Sequence, residues 1–99
     1  MIKHLSLWRL RRENAEEKAR ILTRLREEFH ALPALIPGIL KMELGANLND
    51  GADQADCALY AEFEDRAALR RYIDHPAHGA LLPYLNEIRV ERRIVDYEI

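Results

Sequence analysis

The stretch Ile2-Lys3-His4-Leu5-Ser6-Leu7-Trp8-Arg9-Leu10 decides how this chain must fold. Its alternation predicts a strand, with Ile2, His4, Ser6, Trp8 and Leu10 on one side and Lys3, Leu5, Leu7 and Arg9 on the other. Neither side is polar throughout. A strand with apolar residues on both sides usually has both faces covered. The sheet that holds it therefore needs a layer of helices on one face and a second covering on the other.

Working outward, the spacing turns helical from Asn14 to Leu32. Ala15, Ala19, Leu22, Leu25, Phe29 and Leu32 form the predicted stripe, with Glu16, Glu17, Arg20, Arg24, Glu27 and Glu28 mostly off it. His30, at the end of this helix, is expected to meet its C-terminal carbonyls. Pro33 and Pro37 limit the helix and shape a turn ending at Gly38. A second strand is predicted from Ile39 to Asn47, with Leu40, Met42, Leu44 and Ala46 on one face. The polar stretch from Leu48 to Asp56, containing Asn49-Asp50-Gly51, reads as the loop of a hairpin.

Cys57 to Glu64 forms the third strand, with Cys57, Leu59, Ala61 and Phe63 facing one way. Asp65 is placed to cap a helix running to about Asp74, with Leu69, Tyr72 and Ile73 inward. Pro76 opens a further helix bearing Leu81, Leu82, Leu85 and Ile88, which Pro83 should break or kink. Val90 to Ile99 is the last strand. With no linker, repeat or low-complexity segment, residues 1–99 read as one domain.

The order β-α-β-β-α-β predicts a ferredoxin-like α+β fold, a four-stranded antiparallel sheet with helices on one face. The first strand then requires a cover for the other face. A homodimer formed through the sheet faces, a dimeric α/β barrel, supplies it without exposing a large apolar patch.

Composition narrows the function. The 99 residues carry 15 Lys plus Arg against 17 Asp plus Glu, a net charge of −2, and 48% hydrophobic residues. That balance argues against a general nucleic-acid binder, which needs a basic excess. Arg9, Arg11 and Arg12 cluster, as do Arg89, Arg92 and Arg93, but Glu13 and Glu91 dilute both groups. The single Cys57 rules out an internal disulfide framework and suits a reducing interior. No apolar run reaches membrane-span length and the N-terminus lacks a signal-peptide core, so the cytoplasm is the expected location and no membrane partner is expected.

The densest chemistry lies in Tyr72-Ile73-Asp74-His75-Pro76-Ala77-His78. Pro76 steers His75 out of the α region and fits the first turn of a new helix, which places His78 in that turn. The positive end of a helix disfavours an added imidazolium charge, so a His there tends to stay neutral and serve as a base. His75 and His78 are three apart, a spacing that suits a metal, with Cys57 or His4 as the candidates to complete the set. Too few ligands stand at recognised spacing, however, so no metal is expected. Phosphate-loop, dinucleotide and serine-hydrolase motifs are absent, and no cofactor is expected.

Met1-Ile2-Lys3-His4 with Trp8, the turn Ile36-Pro37-Gly38-Ile39, Phe63-Glu64-Asp65, the box His75-Pro76-Ala77-His78 and the terminal Val95-Asp96-Tyr97 together resemble the stress-responsive A/B barrel (Dabb) family. The resemblance spans essentially the whole chain and rests on the order and spacing of these motifs. It implies a dimeric α+β barrel. The family includes plant heat-stable stress proteins, many members without an assigned activity, and olivetolic acid cyclase, which closes a polyketide by an aldol-type step.

In that cyclase the second His of the box acts as general base, helped by a Tyr six residues earlier. Those positions here are His78 and Tyr72, the candidate catalytic pair. Base chemistry needs a neutral imidazole near an acidic carbon, and a phenol can hold the developing enolate oxygen. The plain alternative is a His that packs at a helix junction and a Tyr that fills the core. A cyclase pocket His near position 4 points to His4, which otherwise serves as a satisfied polar group beneath the helices. Cys57 stands where the cyclase has a further pocket His, which puts polyketide cyclisation itself in doubt.

Trp8, Phe63, Leu81 and Leu85 complete the expected wall for a small apolar or aromatic ligand, with His75 and Cys57 also candidate ligand contacts. Three functions stay open: cofactor-independent acid/base chemistry on a carbonyl or polyketide-like compound, a non-catalytic stress-response dimer, and oxygen-dependent oxidation of an activated phenol.

Overall fold

A computed structural model describes residues 1–11 and 13–99, which leaves Arg12 of the first basic cluster outside the described residues. The elements run β1 (Ile2–Leu10), α1 (Ala15–His30), a 3-10 turn (Leu32–Ala34), β2 (Ile39–Ala46), β3 (Cys57–Phe63), α2 (Arg66–Asp74), α3 (Pro76–Gly79), α4 (Leu82–Ile88) and β4 (Arg89–Glu98). The four strands form one antiparallel sheet in the order β2-β3-β1-β4. The predicted order of elements is thus present, and β1 lies inside the sheet as its two-sided pattern requires.

The inward side of β1 is buried from end to end, whereas outward-facing Leu5 is half-buried and Leu7 is 43% exposed. Helix α1 lies over the sheet through Ile21, Leu22, Leu25 and Phe29. Each such burial contributes about 1.5–3 kcal/mol, whereas an N-cap such as Asn14, whose side chain accepts the Glu17 N–H at 2.8 Å, contributes about 1. Packing therefore sets the helix orientation. Ala15 and Ala19, expected in the stripe, are exposed instead. The true stripe passes through Lys18, whose ammonium reaches the buried Asp56 at 3.4 Å. A long Lys stem can cover apolar surface while its head finds a carboxylate, so this position reads as polar in sequence and half-buried in structure.

Other departures have local causes. Ile39 pairs with Phe63 but Lys41 with Glu62, leaving Leu40 as the extra residue of a bulge and 54% exposed rather than beside Met42 and Leu44. Ala46, at the strand end, is also exposed. His30 does not meet its own helix's carbonyls; its Nε2 accepts the N–H of Leu44 at 3.1 Å, tying α1 to β2. Asp65 caps α2 as expected, accepting the Ala68 N–H at 2.8 Å. Helix α2 buries Ala68 and Tyr72, while Leu69 is half-buried and Ile73 is 40% exposed. The second helical region breaks before Pro83, which sits in the first turn of α4 rather than inside a longer helix.

Helices cover most of the sheet's inner face but leave β4 uncovered there. Ile94, whose neighbours across the ladder are inward residues of β1, is 47% exposed. An opening results between β4 and the α2–α4 segment, floored by β1.

Candidate active site between β4 and the helices

The backbone brings Tyr72 and His78 together at the end of α2. His75 has left the helical region, with φ −70° and ψ 138°, and its Nδ1 accepts the Ala77 N–H at 3.0 Å. Pro76 then opens α3, as the residue before a proline and a proline at a first helical position dictate. After this break the His78 ring stands 4.6 Å from the Tyr72 ring, centroid to centroid.

Hydrogen bonding fixes the protonation pattern of His78. Its Nδ1 lies 3.1 Å from the carbonyl oxygen of Ile73, and a carbonyl can only accept. Nδ1 therefore carries the proton and Nε2 the lone pair in the neutral ring. Burial pushes the His78 pKa below its usual value, the Ile73 carbonyl opposes this, and His4 and Arg89 lower it further. Tyr72 is held protonated for the same chief reason: burial raises its pKa, with Asp96 adding to the rise and Arg89 opposing it. The pair is thus a neutral base beside a phenol donor.

His4 stands on the floor of the same site. It is buried and donates from Nδ1 to the carboxylate of Asp96, opposite it in the β1–β4 ladder. Its ring centroid is 6.1 Å from that of Tyr72. Trp8 donates from Nε1 to the buried Ser6 hydroxyl at 2.5 Å, which leaves the indole as an apolar wall. His4, Ser6, Trp8, Phe29, Leu59, Tyr72, Ile73, His78, Leu85, Arg89, Arg92, Ile94 and Asp96 enclose a cavity of about 230 Å³. The Tyr72 hydroxyl has no hydrogen-bond partner among the described residues, and no fully enclosed side-chain oxygen or nitrogen there lacks one. Its hydroxyl must therefore reach accessible space, and the cavity is the space Tyr72 lines.

Of the residues singled out in sequence, His78, Tyr72, His4, Trp8 and Leu85 meet at this cavity. The structure does not bring the other four into its wall. Phe63 lies one layer behind, its ring 5.2 Å from Tyr72 and 6.3 Å from His4, so it supports both. His75 is occupied as the cap of α3, and Leu81 packs half-buried against the core. Cys57, expected at a pocket position, pairs with Trp8 at the far end of β1 and is buried there. Desolvation, with help from Asp56 and against Lys18, pushes its thiol up to about 12, so it stays protonated. The described residues contain no cluster of three or more His, Cys, Asp or Glu able to hold a metal.

Among the lining residues not singled out in sequence, three are charged: Asp96, Arg89 and Arg92. The signal for Asp96 was its place near the end of a strand that pairs with the beginning of β1. For the arginines it was a strand start facing Trp8. A larger cleft, about 390 Å³, lies on the other side of the sheet beside Leu7, Arg9, Gln54 and Arg93, but no histidine or aromatic ring lines it. Size alone does not select the site.

The family model described as Stress responsive A/B Barrel Domain matches residues 2–99. An uncharacterised protein of Streptomyces coelicolor is 34% identical over 98 residues, covering 99% of each chain. Among solved structures, a dimeric protein of unknown function and ferredoxin-like fold from Bacteroides fragilis is 38% identical with a TM-score of 0.88, covering 99% of this chain and 95% of that one. A dimeric ferredoxin-like protein of unknown function from Thermobifida fusca is 26% identical with a TM-score of 0.80, covering 99% and 90%.

Proposed function

Since this chain belongs, over residues 2–99, to the stress-responsive A/B barrel domain family, we propose that it is a homodimer whose cavity performs cofactor-independent acid/base chemistry on a small carbonyl compound. One observation carries the reading: Tyr72, His78 and His4 converge on a single cavity whose wall also holds apolar Trp8, Phe29, Leu59, Ile73, Leu85 and Ile94 beside the charged Arg89, Arg92 and Asp96. A few polar groups aimed into an apolar cleft are the usual make-up of a small-molecule site.

In this proposal Nε2 of His78 takes a proton from the carbon next to the carbonyl. The C–H electron pair moves into the enolate, and the Tyr72 hydroxyl donates to the oxygen that gains charge. The imidazolium so formed keeps its Nδ1–H on the Ile73 carbonyl, which holds the ring in place. The enolate then either recovers the proton at another atom or attacks a second carbonyl of the same molecule, as a polyketide-like substrate would allow. His4, anchored by Asp96, presents its other ring edge to the substrate or to His78.

The dimer part of the proposal rests on the outward face of the sheet. Half-buried Leu5 and Tyr60 lie there with Leu7, Val95 and Tyr97, which are 43%, 53% and 44% exposed. Charged Lys3, Arg9, Glu62 and Arg93 share the face, a mixture that suits a second sheet laid across it. The dimeric Bacteroides fragilis structure supports a second copy as the occupant. No helix of the described residues is long and apolar enough to cross a membrane, and residence in the cytoplasm belongs to the same proposal.

A non-catalytic stress-response dimer is the second reading. It is favoured by the bonds of His75 and His78 to backbone at the helix junction. His78→Ala and Tyr72→Phe separate the two. The acid/base reading expects His78→Ala to abolish hydrogen–deuterium exchange at the α-carbon of an acetoacetate or aromatic ketone probe by about a hundredfold or more, with folding and dimer intact. Tyr72→Phe should do so less severely, since only a hydroxyl is removed. Lower melting temperatures with no exchange activity in any form of the protein would overturn it in favour of the second reading.

A further inference from the structure

Arg89 and Arg92 both line the cavity, yet neither forms an ion pair among the described residues. Some other arginines are ion-paired, Arg11 with Glu87 at 3.5 Å, Arg66 with Glu98 at 3.0 Å and Arg93 with Glu91 at 3.4 Å, whereas Arg20 and Arg26, without an ion pair among the described residues, are exposed to solvent rather than set in a cavity wall. Arg89 is half-buried, and its guanidinium carbon lies 5.2 Å from the centre of the Trp8 ring. Stacking of this kind limits the motion of a planar guanidinium while leaving its edge N–H donors available. The acidic residue in the wall, Asp96, already accepts from His4.

We infer that the cavity recognises a carboxylate: Arg89, assisted by Arg92, holds the anionic end of a small aromatic or β-keto acid, whose carbonyl end lies at Tyr72 and His78. This inference rests on the cavity being the ligand site proposed above. A guanidinium matches a carboxylate with paired N–H···O bonds, and charge-assisted bonds of this type are stronger than neutral ones. Two neighbouring cations without an anion repel each other, and a bound carboxylate removes that cost. Burial, followed by the nearby Arg92, lowers the pKa of Arg89, in keeping with a site that lacks its anion. The apolar wall of Trp8, Phe29, Leu59 and Leu85 favours a flat body over a bare inorganic ion, and a cavity of about 230 Å³ limits that body to a small one.

The test compares each acid with its neutral amide on the full chain: benzoate against benzamide, and acetoacetate against acetoacetamide, followed by NMR shifts of the Trp8 indole N–H and the His78 ring. At least one acid should bind about tenfold or more tightly than its amide, as expected for a bond to a charged group. Arg89→Gln should remove that preference while Arg92→Gln reduces it, and melting curves with sedimentation would verify that both variants stay folded. Arg89→Lys, which keeps the charge but not the fork, should restore only part. Equal binding of acid and amide, or a preference that survives both glutamine variants, overturns carboxylate recognition but leaves the acid/base site standing. Absence of any shift at Trp8 and His78 with all four probes overturns both.

Discussion

Asp96 lies directly opposite His4 in the β1–β4 ladder, and its carboxylate accepts the Nδ1–H of that buried imidazole. The bond fixes the tautomer of the neutral His4 ring, with the proton on Nδ1 and the lone pair on Nε2. It also joins the floor of the cavity to a strand no helix covers, so the wall formed by β4 is held by side chains as well as by the ladder. Removing Asp96 would leave a buried N–H without a partner.

Asp96→Ala should therefore lower the unfolding free energy by about 1–3 kcal/mol, toward the low end because the carboxylate is partly exposed. Asp96→Asn, whose amide oxygen can still accept, should recover most of the loss. Urea denaturation of the three proteins checks the order. Equal stability of the alanine variant and the unmodified chain would show the contact to be energetically idle.

His78 should titrate below its ordinary pKa of 6.5, because burial disfavours its charged form. The unfolded chain then binds more protons than the native one near pH 6. Stability is thus complete above the unfolded value of 6.5, declines as pH falls from there, and loses the whole contribution below the folded pKa. His78→Ala should flatten this part of the profile. Ring-proton NMR across pH 4–8 tests the claim directly, and a midpoint at or above 6.5 would sink it.

Leu5→Asp and Leu7→Asp place a charge where a second sheet is proposed to lie. Each should disrupt the dimer, at a cost of about 1–5 kcal/mol where an unpaired charge is buried. Sedimentation of the unmodified protein decides the main point: a monomer at micromolar concentration removes the reason for both substitutions.

Gly38 has φ +91°, and a side chain there would bring a Cβ within 2.7 Å of the Ala68 Cβ and 2.8 Å of an Arg71 Nη1. The Arg71 tip could move, although it donates to the Pro37 carbonyl at 3.1 Å, but the Ala68 contact would require α2 to shift. Gly38→Ala should cost about 1–3 kcal/mol from backbone strain, with the contact adding to it. Thermal unfolding measures it. A melting temperature unchanged within a degree would contradict the argument.

Sequence made the elements legible where burial imposes a period. β1 and β3 alternate cleanly, and Asp65 and Pro76 carry their own capping rules. The pattern failed at positions where tertiary contacts override it. The bulge at Leu40 cannot be read from alternation because one extra residue shifts the phase, and Lys18 hides a half-buried position behind a charge. The site followed the same rule. His78 was visible because Pro76 sets its turn locally, and its pairing with Tyr72 came with the family resemblance. Asp96 and Arg89 were not, since they reach the cavity through the register of β4 against β1, which pairs Asp96 with His4 and Arg89 with Leu10 from the opposite end of the chain.

The interruption at His75-Pro76 has a geometric consequence for how such a site can change. In an unbroken α-helix, residues six apart point about 120° from one another around the axis. A continuous helix from Tyr72 to His78 would send the phenol and the imidazole to different sides. The chain must therefore change direction between them, and their relative angle is a property of the main chain rather than of two adjustable rotamers. Lengthening or shortening that bend by one residue would rotate the base against the donor in a single large step. Substitutions in the apolar wall alter the shape of the cavity; insertions and deletions at the bend alter whether the two groups face the same cavity.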